Sequence, residues 1–147
     1  MIAENNPFNI RYNPSNRWIG QNGISKGFVT FDSMDHGLRS GIILFRNYIY
    51  KLDLNTVEKV INRFAPPSEN NTYHYVSYVS VVLRNNGFSS THLRNNFQLR
   101  YDKCFYYLIK AILKMETNYS LTYLEFSVLC NKFNILKPYA FNDENNE

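Results

Sequence analysis

Apolar residues recur at helical spacing along most of this chain, and the repeats divide it into five helices behind a short β segment. From residue 33 to 50, Leu38, Ile42, Phe45 and Ile49 stand four, three and four apart. That spacing puts them on one face of a helix whose first turn carries Asp35. Asn55-Thr56-Val57-Glu58 has the spacing of a capping box and opens a short helix with Val57, Val60, Ile61 and Phe64 inward. Pro66-Pro67 stops it, because proline cannot supply the N–H groups that a continued helix needs. Residues 71–85 predict a third helix on Tyr75, Val76, Val79, Val82 and Leu83, with Gly87 as its C-cap. A polar connection over roughly 88–100 leads to the fourth helix. Thr122-x-x-Glu125 opens the last, carrying Leu124, Val128, Leu129 and Phe133 and ending before Pro138.

Residues 1–32 break this pattern. Pro7, Pro14, Gly20, Gly23 and Gly27 punctuate short apolar pieces, of which Phe28-Val29-Thr30-Phe31 is the best strand candidate in a small hairpin. The expected fold is mainly α, in the α+β class, with a small N-terminal β-hairpin and loop region. Residues 1–141 read as one domain, and the polar, acidic tail 142–147 as a frayed end.

The fourth helix carries the position of greatest chemical interest. Phe105, Ile109, Ile112 and Glu116 fall four, three and four apart, while Lys103, Lys110 and Lys114 fall on another face. Glu116 therefore continues an apolar stripe at the C-terminal end of a helix. Partial burial and the negative end of the helix dipole both disfavour an ionised carboxylate there, which suits a general acid. The bland alternative is a solvated or salt-bridged helix-end Glu.

Composition narrows the other options. A chain of 147 residues with 44% hydrophobic and 16% aromatic content fits one domain with its own core. The 21 asparagines are read as a trace of AT-rich coding rather than of chemistry. A net charge of +4 favours an anionic partner only weakly, since the basic residues are scattered and form no nucleic-acid motif. No nucleic-acid partner is expected. Cys104 and Cys130 are too few for a disulfide framework and read as small buried hydrophobes. His36, His74 and His92 lack ligand spacing, so neither a metal nor a cofactor is expected.

No apolar run approaches membrane-spanning length, and no signal peptide is visible after Met1. A soluble product made in the cytoplasm, without a membrane partner, is the expectation. Among the other carboxylates, Asp32 and Asp35 are placed to cap the first long helix, and Glu58 and Glu125 to complete capping boxes. Glu69, in a rigid turn, is placed equally well to cap the third helix or to line a cleft.

Three blocks then resemble a known family. Asn5-Asn6-Pro7-Phe8-Asn9-Ile10-Arg11, Trp18-x-Gly20, Phe28-x-x-Phe31-x-Ser33 and Gly37-Leu38-Arg39 look like the phage and prophage lysozyme-like structural proteins. Thr56-Val57-x-x-Val60-Ile61-x-Arg63-Phe64-Ala65-Pro66-Pro67-x-Glu69-Asn70-x-Thr72-x-x-Tyr75 continues the match. Leu108-Ile109-x-Ala111-Ile112-x-x-x-Glu116-x-Asn118 resembles the family's later helix, which ends in a Glu-Asn pair. The first block is also similar to the second half of bacterial glucosaminidase domains, and through them to lytic transglycosylases. In those enzymes the helix ending in the catalytic Glu precedes that block; here it follows. The resemblance thus implies a lysozyme-like fold, circularly permuted, with Glu116 in the place of the catalytic acid. The chain departs from the pattern at Phe8 (Gly in the family), at Phe64 (Trp) and at Met115-Glu116-Thr117-Asn118 (His-Glu-Asn-Gly).

What the resemblance implies is a muramidase or lytic transglycosylase acting on peptidoglycan glycan strands, of phage or prophage origin. Glu116 would be the acid, and Glu69, or less favourably Asp35, would stabilise positive charge or position a water. Trp18, Tyr73, Tyr75, Asn118 and Tyr119 are the candidate sugar contacts. The product would be virion-associated or released to the cell wall, alongside other virion proteins. The competing expectation is an inactive lysozyme-like virion or wall-binding module.

Overall fold

The computed structural model describes residues 3–93 and 102–135. The expected polar tail and most of the 88–100 connection lie outside the described residues. Chain order is β1 (Gln21–Ser25), β2 (Phe28–Phe31), α1 (Met34–Tyr50), α2 (Val57–Phe64), α3 (Thr72–Asn85), α4 (Asp102–Thr117) and α5 (Tyr123–Phe133). The mainly α domain with a small antiparallel hairpin is the architecture expected from the hydrophobic pattern.

The hairpin register, which the sequence left open, pairs Gln21 with Phe31 and Ser25 with Phe28, with an irregularity between Gln21 and Gly23. Its turn uses Lys26 and Gly27 at positive φ. Val29 and Phe31 face the core, and β2 packs on α1.

Helix starts follow local hydroxyl and amide chemistry, with two corrections. Ser33, not Asp32 or Asp35, caps α1 by accepting from the His36 N–H. Asp32 instead accepts from Asn22, and Asp35 pairs with Lys132 at 2.8 Å, joining α1 to α5. Thr56, not Asn55, caps α2 by accepting from Lys59. Asn55 Oδ1 instead accepts from Lys59 Nζ, and the Asn55 main-chain carbonyl accepts from Leu93. Asn71 caps α3 and Thr122 caps α5.

The α1 stripe is buried as expected, and so are Val57, Val60 and Ile61 of α2, while Phe64 is only partly buried. The face of α5 is only partly the expected one: Leu129 is buried and Phe133 packs on the core as expected, but Phe126 and Cys130 are buried in place of Leu124 and Val128, which are 74% and 55% exposed. Helix α4 is buried well beyond its stripe, since Cys104, Tyr106, Leu108, Ala111 and Leu113 join Phe105, Ile109 and Ile112 in the core. Its lysines serve the chain that follows it. Lys110 Nζ donates to the Leu121 carbonyl and Lys114 Nζ to Ser120 Oγ. The helix packs along α3, and its C-terminal turn meets the N-terminal loop.

That loop is held by its asparagines. Asn6 is fully buried, donating to the carbonyls of Ile10 and Val29 and accepting from the Ile10 N–H, which satisfies an amide that burial would otherwise penalise. Asn5 and Asn9 adopt left-handed φ of 57° and 54°, a conformation Asn tolerates better than most residues. Phe8 is then driven into the core over Gly41, where a Cβ would stand 2.0 Å from its ring, and against Phe45 at 5.9 Å. The Asn5–Ile10 block is thus a folded plug.

Candidate functional site

Glu116 sits in the last turn of α4, partly exposed, at the point where the plug reaches the helix end. Asn9 Nδ2 donates to Glu116 Oε1 at 3.1 Å and to its main-chain carbonyl at 3.3 Å. Tyr75 Oη donates to Glu116 Oε2 at 2.9 Å. One residue further on, Thr117 Oγ1 donates to the Pro7 carbonyl at 2.7 Å. The Cβ direction that continues the Ile109–Ile112 stripe aims Glu116 toward α3 and the plug together.

Around this carboxylate opens a cleft of about 490 Å³. One wall is the loop segment 9–18, with Arg11, Tyr12, Asn13 and Trp18. Leu44 and Tyr48, one turn apart on α1, line it from the core side. Phe64, Ala65, Glu69 and Asn70 come from the end of α2 and the following turn. Glu69 projects from that turn because Pro66 ends the helix and the Glu69 N–H closes back on the Pro66 carbonyl. At the rim, Arg11 Nη2 stands 3.9 Å from Glu69 Oε1, both side chains mostly exposed, and the Arg11 guanidinium lies 5.0 Å from the Phe28 ring centre.

Burial, reinforced by the neighbouring Glu116 charge, pushes the Tyr75 phenol far above its ordinary value. Tyr75 therefore keeps its proton throughout the working pH range and acts on Glu116 as a fixed donor. Burial also raises the Tyr48 phenol, against the opposing pull of Arg63, whose guanidinium lies 5.7 Å from its ring. Asn9 and Tyr75 thus each hold one oxygen of the Glu116 carboxyl group, and Glu116 also lines the cleft. Chemically this is a positioned carboxyl group in a cleft of aromatic faces and amides.

Of the residues singled out from sequence, Glu116, Glu69 and Trp18 line one cleft. Tyr75 is 5% exposed and meets Glu116 through its hydroxyl rather than offering a ring face. Tyr73 is 86% exposed and belongs to a neighbouring groove. Asn118 is exposed at φ 60°, closing the end of α4 through a bond from its N–H to the Lys114 carbonyl. Tyr119 donates to Glu125 and lines a small cavity of about 130 Å³ with Lys110 and Lys114. Asp35, engaged with Lys132, does not line the cleft.

Asn9, Arg11, Tyr12 and Tyr48 are cleft residues that the pattern reading did not single out. Asn9 carried a usable signal, its place in the Asn-Asn-Pro-Phe-Asn block, but its partner lies 107 residues away. Among the described residues, no cluster of three or more His, Cys, Asp or Glu side chains is placed to hold a metal ion. None of the described helices is long and apolar enough to cross a membrane.

The chain is similar to a phage protein. It is 29% identical over 119 residues to Protein P5 of Pseudoalteromonas phage PM2, covering 78% of this chain and 69% of that one. No protein-family model matches the chain.

Proposed function

We propose that the protein is a peptidoglycan-cleaving glycosidase of lysozyme-like type and of phage or prophage origin, with Glu116 as its general acid. The observation that carries this reading is the pair of donors, Tyr75 and Asn9, fixing the Glu116 carboxyl at a cleft lined by Trp18, Tyr12 and Tyr48. Aromatic faces take the apolar C–H faces of sugar rings, and the amides of Asn9, Asn13 and Asn70 suit their hydroxyls. The likeness to a phage protein is consistent with the origin.

In this reading the Glu116 proton passes to the glycosidic oxygen as the C1–O bond breaks, and the leaving sugar departs as an alcohol. The positive charge left on the ring is met either by water, whose proton returns to the Glu116 carboxylate, or by the sugar's own 6-hydroxyl, which closes an anhydro ring and returns its proton likewise. Glu69 is the carboxylate placed to assist the first route, since it lines the same cleft.

The permuted arrangement also finds support. In the glucosaminidase order, the Asn-Asn-Pro-Phe-Asn-Ile block follows the helix of the catalytic Glu. Here it precedes that helix by about a hundred residues, yet Asn9 and Pro7 are bonded to Glu116 and Thr117.

A second reading rests on the same bonds. Glu116 ties the plug to α4 and α3, as it would in a wall-binding or virion module without chemistry. Release of muropeptides from purified cell walls separates the two. Wild type should release them and Glu116→Gln, with its fold retained, should not; equal release by both would sink the assignment. Wild type that sediments with walls but releases nothing would establish the second reading. Mass spectrometry of the products tells an anhydro end from a reducing one.

A further inference from the structure

A second concavity, of about 540 Å³, adjoins the cleft and shares Asn70 with it. The turn 65–71 runs between them, contributing Glu69 to the cleft and Pro67 to the groove. Tyr73 lines the groove and is 86% exposed, a large aromatic surface left facing water. Asn62 and Asn70 each donate one amide N–H to the Glu58 and Pro66 carbonyls, which orients amides that still carry an Oδ1 acceptor and a second N–H. Glu58 adds a carboxylate to the lining, and neither Lys nor Arg belongs to it. An aromatic face beside several oxygen acceptors, without a cation, matches a neutral polyhydroxylated ligand and disfavours a phosphate or a nucleic acid.

Resting on the glycosidase reading, we propose that this groove is a distal glycan subsite that holds sugar residues of the strand beyond those in the Glu116 cleft. Tyr73 stacks on one sugar ring, and Asn62 and Glu58 accept hydrogen bonds from its hydroxyls. Asn70, at the crest, serves the sugars on both sides. The turn itself is rigid: two prolines restrict its backbone, and Thr72 Oγ1 anchors its far end to the Ala65 carbonyl at 2.6 Å. The two concavities therefore keep a fixed spacing, and the strand is read by length.

The test titrates N-acetylglucosamine oligomers of two and six residues into 15N-labelled protein. The hexamer should shift the amides of Asn62, Asn71 and Tyr73 together with those of Asn9 and Trp18. Tyr73→Ala, at an exposed position that leaves the core intact, should weaken the hexamer about tenfold while dimer binding stays as in wild type. Hexamer shifts confined to the cleft, with both lengths bound equally by wild type and Tyr73→Ala, would overturn the subsite and leave the glycosidase reading standing. Hexamer shifts in both concavities, without muropeptide release by wild type, would keep the subsite and discard the chemistry.

Discussion

Tyr75 and Glu116, 41 residues apart, meet in a 2.9 Å hydrogen bond that joins the first turn of α3 to the last turn of α4. Because the phenol is buried and holds its proton, the bond has a fixed direction, from Tyr75 to the carboxyl group. Tyr75→Phe removes that donor and little volume. A hydrogen bond to a charged group is worth about 1.5–3 kcal/mol, so muropeptide release should fall about tenfold to a hundredfold. Circular dichroism should show the fold retained. Unchanged release would mean that Tyr75 does not position the acid.

The plug asks for a different test. At Gly37 a Cβ would stand 1.8 Å from the Asn5 carbonyl oxygen, a backbone atom that cannot rotate aside. At Gly41 it would stand 2.0 Å from the Phe8 ring. Gly37→Ala and Gly41→Ala should each destabilise by about 1–3 kcal/mol, the usual range for overpacking a core, as read from urea midpoints. Either change should also speed exchange of the Ile10 amide, which donates to Asn6 Oδ1, ahead of amides in α3.

Asn9 separates backbone from side chain. Its φ of 54° is a strain for alanine, and its amide makes both contacts to Glu116. Asn9→Gly suits the left-handed backbone and loses the amide; Asn9→Ala loses the amide and strains the backbone. Alanine should therefore be the less stable of the two by about 1 kcal/mol, the penalty of left-handed backbone for a residue with a Cβ. Both should lose muropeptide release to a similar degree, if the amide is what matters at Glu116.

How much of this was legible follows the range of the interactions. The stripes on α1 and α2, the Thr122 cap and the Phe28–Phe31 strand are local patterns, and each appears where the spacing puts it. On α5 the spacing finds Leu129 and Phe133, but Leu124 and Val128 fit a helical repeat as well as Phe126 and Cys130 do, and only packing chooses between them. Likewise, Glu116 could be placed on the right side of its helix from spacing alone. Its partners could not, since Asn9 and Tyr75 reach it through tertiary contacts 107 and 41 residues long. Tyr73 and Tyr75, two positions apart on a helix, point away from each other, so grouping them as sugar contacts joined two different surfaces.

The two remaining carboxylates give a paired prediction. Glu69 lines the cleft beside Arg11, whereas Asp35 is turned to Lys132 and does not. Glu69→Gln should lower muropeptide release if water is the nucleophile and should barely change it if the 6-hydroxyl is. Asp35→Asn should leave release unaffected by either route. Its effect on stability should also be small, since exposed ion pairs are worth about 0–1 kcal/mol. Loss of release in Asp35→Asn, with stability kept, would put the second carboxylate on α1.

Cys104 closes the set with a pH dependence. Burial in the core pushes its thiol up to about 12, against 9.0 for the free side chain. The folded protein therefore holds this proton more tightly than the unfolded chain does. The resulting stabilisation is complete below about pH 9 and is lost as pH climbs from there toward 12. Two measurements check it. Iodoacetamide at pH 8, followed by peptide mapping, should leave Cys104 unmodified in native protein and label it promptly in urea, because the thiolate is the reactive form. Urea midpoints should then fall between pH 9 and 11 by less in Cys104→Ala than in wild type, since the variant lacks the Cys104 thiol. Fast native labelling at pH 8 would show instead that α4 opens locally, and with it the helix that carries Glu116.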